Sequence, residues 1–156
     1  MSEQTDALLT QLEESLRRLT WALMDVDEDD LNASEDNEWS PVQILAHVKA
    51  CDDIITGRIA TLLVHPRPML QDFNERAWAE IAGYTIAPVD QTLMAMQRHR
   101  NEMVWQLRNL PDEAWMRAAQ HETRGTLSLL DLVQSFADHE TEHVQQLEDL
   151  FEDVDE

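Results

Sequence analysis

His139 and His143 stand four residues apart in the stretch FADHETEHVQQL, residues 136–147. On an α-helix that spacing separates two side chains by about 40° around the axis and about 6 Å along it. Two imidazoles so placed can hold one metal ion. Leu129, Leu132, Phe136, His139, His143, Gln146 and Leu150 follow a 4-3 spacing, as do Leu130, Val133, Ala137, Glu140, Val144, Leu147 and Phe151. Both rows are otherwise mostly apolar, so this face is expected to look inward. A lone histidine on such a face is more often a hydrogen-bonded core residue than a ligand. A pair shifts the balance toward metal, provided a third ligand exists. His47 supplies the candidate: it interrupts the row Ile44, His47, Cys51, Ile54, Arg58 on an earlier segment.

The elements that must carry these residues are helical. Leu9, Leu12, Leu16, Leu19 and Leu23 form one stripe and predict a helix over residues 5–24. The acidic segment 25–38 has no periodicity and is expected to be loop. Ser40, Pro41 and Gln43 form an N-cap, a first-turn proline and a capping box, starting a helix that runs to residue 64 before His65 and Pro66. A short helical piece is expected over 72–82, inside a linking segment 69–88. A third long helix covers 88–109, with Val89, Leu93, Met96, Met103, Leu107 and Leu110 on its apolar stripe. Residues 110–115 form a short turn of helix, 121–128 a loop, and 128–151 the last long helix, capped by Ser128 and Asp131. The sum is an all-α four-helix bundle, one domain over residues 1–156, with a long crossover between the second and third long helices.

Composition narrows the function classes. The 156 residues carry 32 acidic against 11 basic side chains, a formal charge of −21, which argues against recognition of nucleic-acid phosphates. The acidic runs 25–38 and 148–156 are expected to be solvated loop and tail. Any anionic substrate would have to be drawn in by the metal itself, not by the general field. Cys51 is the only cysteine, no signal peptide or membrane-length apolar run is visible, and a cytoplasmic protein is expected. The broad apolar face of the first helix, with Trp21 and Met24 beside the stripe, points to a homodimer. Cys51 is expected to act as a small hydrophobe; were it a ligand, the site would be closed and structural. His99 is expected at a boundary or on the surface, and His65 and His121 exposed and unrelated to the metal.

Three readings of the histidine pair compete. Residues 139–143 match H-E-x-x-H, the zinc-protease motif with Glu140 as base. Its usual third ligand is missing: Gln146 and Asp149 stand at the later positions, and only thirteen residues follow His143. A di-iron bundle would need a second Glu-x-x-His, and no other histidine has a glutamate three residues before it. The third reading rests on Trp39, Ser40, Pro41 and His47, then Gly125 to Leu130, then His139, Glu140, His143, Gln146 and Leu147. These residues together resemble the DinB-like (damage-inducible, bacillithiol-transferase-like) family of four-helix bundles over nearly the whole chain.

That resemblance implies a mononuclear divalent metal, zinc or nickel, held by His47, His139 and His143. It also implies stress-related thiol chemistry: a metal-dependent S-transferase joining a low-molecular-weight thiol to a small electrophile. Three neutral imidazoles with an open position are the catalytic type of site, and Glu140 and Gln146 are candidates for orienting an imidazole or a bound water. Relatives often have Asp where this chain has Glu140. A non-catalytic metal-binding or stress-related module and a metal-dependent hydrolase remain as alternatives, and no nucleic-acid or membrane partner is expected.

Overall fold

The computed structural model describes the backbone of residues 2–154 and the side chains of residues 2–152; the end of the acidic tail, Asp155 and Glu156, lies outside the described residues. Four long helices form the bundle: α1 (Glu3–Leu23), α3 (Pro41–Val64), α5 (Val89–Arg108) and α6 (Leu129–Val154). The caps are those expected. Ser40 Oγ accepts from the Gln43 amide at 3.3 Å while the Ser40 amide donates to Gln43 Oε1 at 2.8 Å. The Ser128 amide donates to Asp131 Oδ2 at 2.9 Å, and the Asp131 amide to Ser128 Oγ at 3.0 Å. Each reciprocal pair satisfies donors that the first helical turn leaves without partners.

α1 and α3 each pack against both α5 and α6. The leucine stripe of α1 is wholly buried. Its N-terminal part joins Ile59, Leu62, Met103, Leu107, Val133 and Ala137 in one apolar cluster. Its C-terminal part joins Ile44, Leu45, Val48, Met96, Val144 and Leu147 in a second. Short helix α4 (Glu75–Ile81) lies in the crossover and packs on α3. No helix among the described residues is long and apolar enough to cross a membrane.

Two expectations are corrected. The acidic segment is not all loop, because α2 (Glu28–Asn32) forms within it, with Glu28, Asp29 and Asp30 at the helix start, where the dipole favours negative charge. A small sheet also joins the all-α four-helix bundle, where the sequence suggested loop. β1 (Met69–Leu70) pairs in parallel with β2 (Ala118–His121), which pairs antiparallel with β3 (Gly125–Ser128). The segment 121–128 is therefore mostly a hairpin, whose turn ends at Gly125 with φ +77°. Along it Ala119, His121 and Leu127 point inward, so His121 is buried where the sequence suggested exposure.

Between the two apolar clusters lies a buried ionic group. Arg100 of α5 donates through Nη1 to the Leu12 carbonyl at 2.7 Å, and its Nη2 lies 3.2 Å from Asp52 Oδ1 and 2.8 Å from Glu140. All three side chains are at most 1% exposed. Burial pushes the Glu140 carboxyl up from its usual range, although the Arg100 charge pulls it down. Removing one partner of a buried charge group leaves the others uncompensated. Arg100→Met is therefore expected to cost about 3–5 kcal/mol in urea unfolding. Glu140→Gln should cost clearly less, since an amide oxygen still accepts from Arg100 and Asp52 still balances its charge. Equal losses would contradict this account.

Candidate metal centre

His47 on α3 meets His139 and His143 on α6 at the edge of the bundle. His47 Nε2 lies 3.0 Å from His139 Nε2, which lies 3.2 Å from His143 Nε2. The ring centroids of His47 and His143 are 4.7 Å apart, and those of His139 and His143 4.5 Å. The histidine row of α6 is not the deep core row that its spacing suggested. Glu140, Val144 and Leu147 occupy the core, while His47 and His143 are half-buried and His139 is exposed. One residue is about 100° of helix. With Glu140 facing the bundle axis, His139 is turned toward the margin.

The donor set suits a metal ion. Nitrogens bound to one zinc at about 2.0–2.1 Å lie roughly 3.0–3.4 Å apart, the spacing observed here. His143 Nδ1 donates to Gln146 Oε1 at 3.0 Å, which leaves the Nε2 lone pair free to point at the other two rings. Trp39 lies nearly parallel to His143, 6.1 Å between centroids, and 5.1 Å from His47. Two of the rings, His47 and His139, are held toward the neutral form that ligates a metal. Burial, then the charges of His143 and His139, push His47 down to about 4. His139 is lowered as well, by burial first and by His143 next, against the opposing pull of Glu142 and Glu75.

Cys51 belongs to the margin of this group. Its Sγ is 3.6 Å from His47 Nε2, and the ligand atoms of His47, Cys51 and His139 all lie within 4.8 Å of one another. Burial, followed by the charges of Glu75, Glu140 and Asp52, pushes its thiol up to about 12. A thiol that firmly protonated is a poor ligand. The three imidazoles are the better set. Glu140 makes no hydrogen bond to an imidazole among the described residues; its carboxylate is spent on Arg100. His99, half-exposed, lies 3.5 Å from Asp52 and is absent from the group. A cavity of about 220 Å³ opens beside His139, with Cys51, Glu75, Phe136, Arg58 and Arg124 among its lining.

Sequence reasoning missed Arg100, Asp52, Glu75 and the two cavity arginines. One signal was present. Arg100 fills the gap in the 4-3 stripe between Met96 and Met103, and Asp52 interrupts the apolar row of α3 between Val48 and Ile55.

A sequence model of the DinB superfamily matches residues 11–147. The chain belongs to the DinB superfamily. Among solved structures, YfiT from Bacillus subtilis, described as "a probable metal-dependent hydrolase with an unusual four-helix bundle topology", superposes with a TM-score of 0.89. It is 21% identical, and the match covers 99% of this chain and 90% of YfiT. The four-helix bundle protein TT2238 superposes with a TM-score of 0.65 at 20% identity, over 92% of this chain and 98% of its own. A curated relative from Oceanobacillus iheyensis, "Putative metal-dependent hydrolase OB0782", is 20% identical over 143 residues, 91% of this chain and 83% of that protein. This DinB-superfamily member thus shares a four-helix bundle with YfiT and TT2238, and YfiT is the one of those two described as metal-dependent.

Two measurements check the centre. Elemental analysis of protein purified without metal resin should find about one divalent ion per chain in the parent and none in His143→Ala. Gln146→Leu should weaken metal affinity about 10- to 100-fold, and Cys51→Ala should leave metal content unchanged. In metal-free protein the unfolded chain takes up the His47 proton near 6.5 and the folded chain only near 4. Stability should therefore be full above about pH 6.5 and fall as pH drops toward about 4. Urea unfolding across that window checks the sign, and the slope should shrink in His47→Gln.

Proposed function

We propose that the chain is a metal-dependent hydrolase of small molecules, with His47, His139 and His143 as ligands and the cavity beside His139 as the substrate chamber. The observation that carries this reading is the convergence of three imidazole Nε2 atoms, with one of the three residues, His139, lining an open cavity. A structural site would be closed by a fourth protein ligand. A divalent ion held by imidazoles alone supplies Lewis acidity, lowering the pKa of a water or thiol in the open position.

The chain's own residues supply the rest. Gln146 fixes the ring of His143, and Trp39 covers one side of the pair His47 and His143. Glu75 lines the same cavity, and its charge reaches both His139 and Cys51. Its carboxylate is placed to take a proton from a water entering the chamber, the part of a general base. The descriptions of YfiT and of the Oceanobacillus iheyensis protein as metal-dependent hydrolases support the same choice.

Transfer of a low-molecular-weight thiol to an electrophile is the second reading. It uses the same ligands, and the apolar wall of Ile54, Leu132 and Phe136 suits a carbon skeleton. Glu75 separates the two. A thiol with a pKa near 8.5 gives up its proton far more readily than water near 15.7, so it depends less on a neighbouring carboxylate. The test compares a panel of small esters and amides with conjugation of a small thiol to an alkyl or aryl halide. Glu75→Gln should lower kcat/KM for hydrolysis about 100-fold or more with metal content unchanged. Hydrolysis indifferent to both Glu75→Gln and His143→Ala would remove the hydrolase reading. Conjugation lost in His143→Ala yet indifferent to Glu75→Gln would install the transferase.

A further inference from the structure

The cavity beside His139 carries two cations in a chain of strongly negative charge. Arg58, half-buried on α3, and Arg124, exposed on the β2–β3 turn, both line it. Neither has a carboxylate within ion-pair distance among the described residues, although acidic side chains outnumber basic ones 32 to 11. Their hydrogen bonds are to neutral groups: Arg58 Nη2 donates to the Gln71 carbonyl at 2.6 Å, and Arg124 Nη2 to Ser135 Oγ at 3.3 Å. They also feel each other. Arg58 is lowered by burial first; Glu75 pulls the other way more strongly than the Arg124 charge lowers it, and Asp72 adds to the opposing pull. Two guanidinium groups facing one cavity repel each other until an anion lies between them.

The buried His121 explains how Arg124 comes to be there. Its Nδ1 accepts from the backbone amides of Thr123 and Arg124 at 3.1 and 3.2 Å, which pins the turn. The ring proton then lies on Nε2, 3.6 Å from Asp72, so Nε2 cannot accept from Arg58 at 3.5 Å. Arg58 keeps donors to spare for a ligand.

We propose that Arg58 and Arg124 form an oxyanion subsite that binds the carboxylate or phosphate group of a small anionic substrate, whose reacting end then lies toward His139. The assignment of a substrate rests on the metal-centre reading above; the anion site itself does not. It replaces the expectation that only the metal could draw an anion toward so acidic a protein. The apolar residues Ile54, Leu132 and Phe136 on the wall of the same cavity would take the carbon skeleton of the same molecule.

Calorimetric titration with succinate and with inorganic phosphate at low ionic strength tests this. The proteins are the parent as purified, Arg58→Gln, Arg124→Gln and His143→Ala. At least one anion should bind the parent, more weakly as salt is added, and Arg124→Gln should weaken it about tenfold or more with metal content unchanged. Arg124 is exposed, so its variant remains informative if Arg58→Gln proves unstable. Preference for succinate assigns a carboxylate, and preference for phosphate a phosphoryl group; either supports the subsite. Arginine-dependent binding that persists in His143→Ala supports it too, even if the metal reading has failed. No binding of either anion, equal affinity in the parent and Arg124→Gln, or binding lost only in His143→Ala would overturn it.

Discussion

Arg100 ties all four long helices together. It leaves α5, donates to the Leu12 carbonyl of α1, and pairs with Asp52 of α3 and Glu140 of α6. Apolar packing alone lets helices slide by a turn at modest cost, because one leucine can replace another in a groove. A guanidinium cannot be shifted so freely. Moving any partner by a turn would leave a charge buried without its counter-charge, a loss of several kcal/mol. The group also sits where the core divides, with one apolar cluster to either side. Its net worth to stability is small or even negative, as for most buried ion groups. Its effect is on register.

Register is what the meeting of the three histidines requires. His139 directly precedes Glu140, and His47 stands five residues before Asp52. Holding Asp52 and Glu140 on one guanidinium therefore holds the two histidines opposite each other at the margin, where their Nε2 atoms lie 3.0 Å apart. The capping box at Ser40 and Gln43 fixes where α3 begins and so where Trp39 meets the rings of His47 and His143. Structure and chemistry are thus divided by one residue of helix rotation. Glu140 faces inward and is consumed by the fold, while His139 faces outward and stays available.

The four helices and their caps were legible because each is written locally, in stripes such as Leu9 to Leu23 and in pairs such as Ser40 with Gln43. The three histidines were legible through residue type and i, i+4 spacing. Their depth was not: two adjacent rows of α6 both looked apolar, and only the packing of α1 and α3 decides which one is core. Glu140 looked like a partner for an imidazole because its destination, Arg100, lies forty residues away on another helix. The small sheet escaped for a similar reason. Its strands are two to four residues long, and β1 finds β2 across almost fifty residues of chain.

The charge distribution follows the same logic at longer range. A protein of formal charge −21 concentrates cations near its surface and thins out anions. For a divalent cation this field is favourable. For an anionic ligand it is adverse everywhere except where cations stand without carboxylate partners. Arg58 and Arg124 meet that condition on the wall of the cavity that reaches His139, whereas Arg100, the most buried cation, is neutralised by Asp52 and Glu140. The difference lies in what surrounds each arginine rather than in the residue itself. In the core a guanidinium with two carboxylates fixes geometry; at the cavity two guanidinium groups hydrogen-bond to neutral partners and share the wall with the single carboxylate of Glu75, leaving net positive charge for something that is not part of the chain.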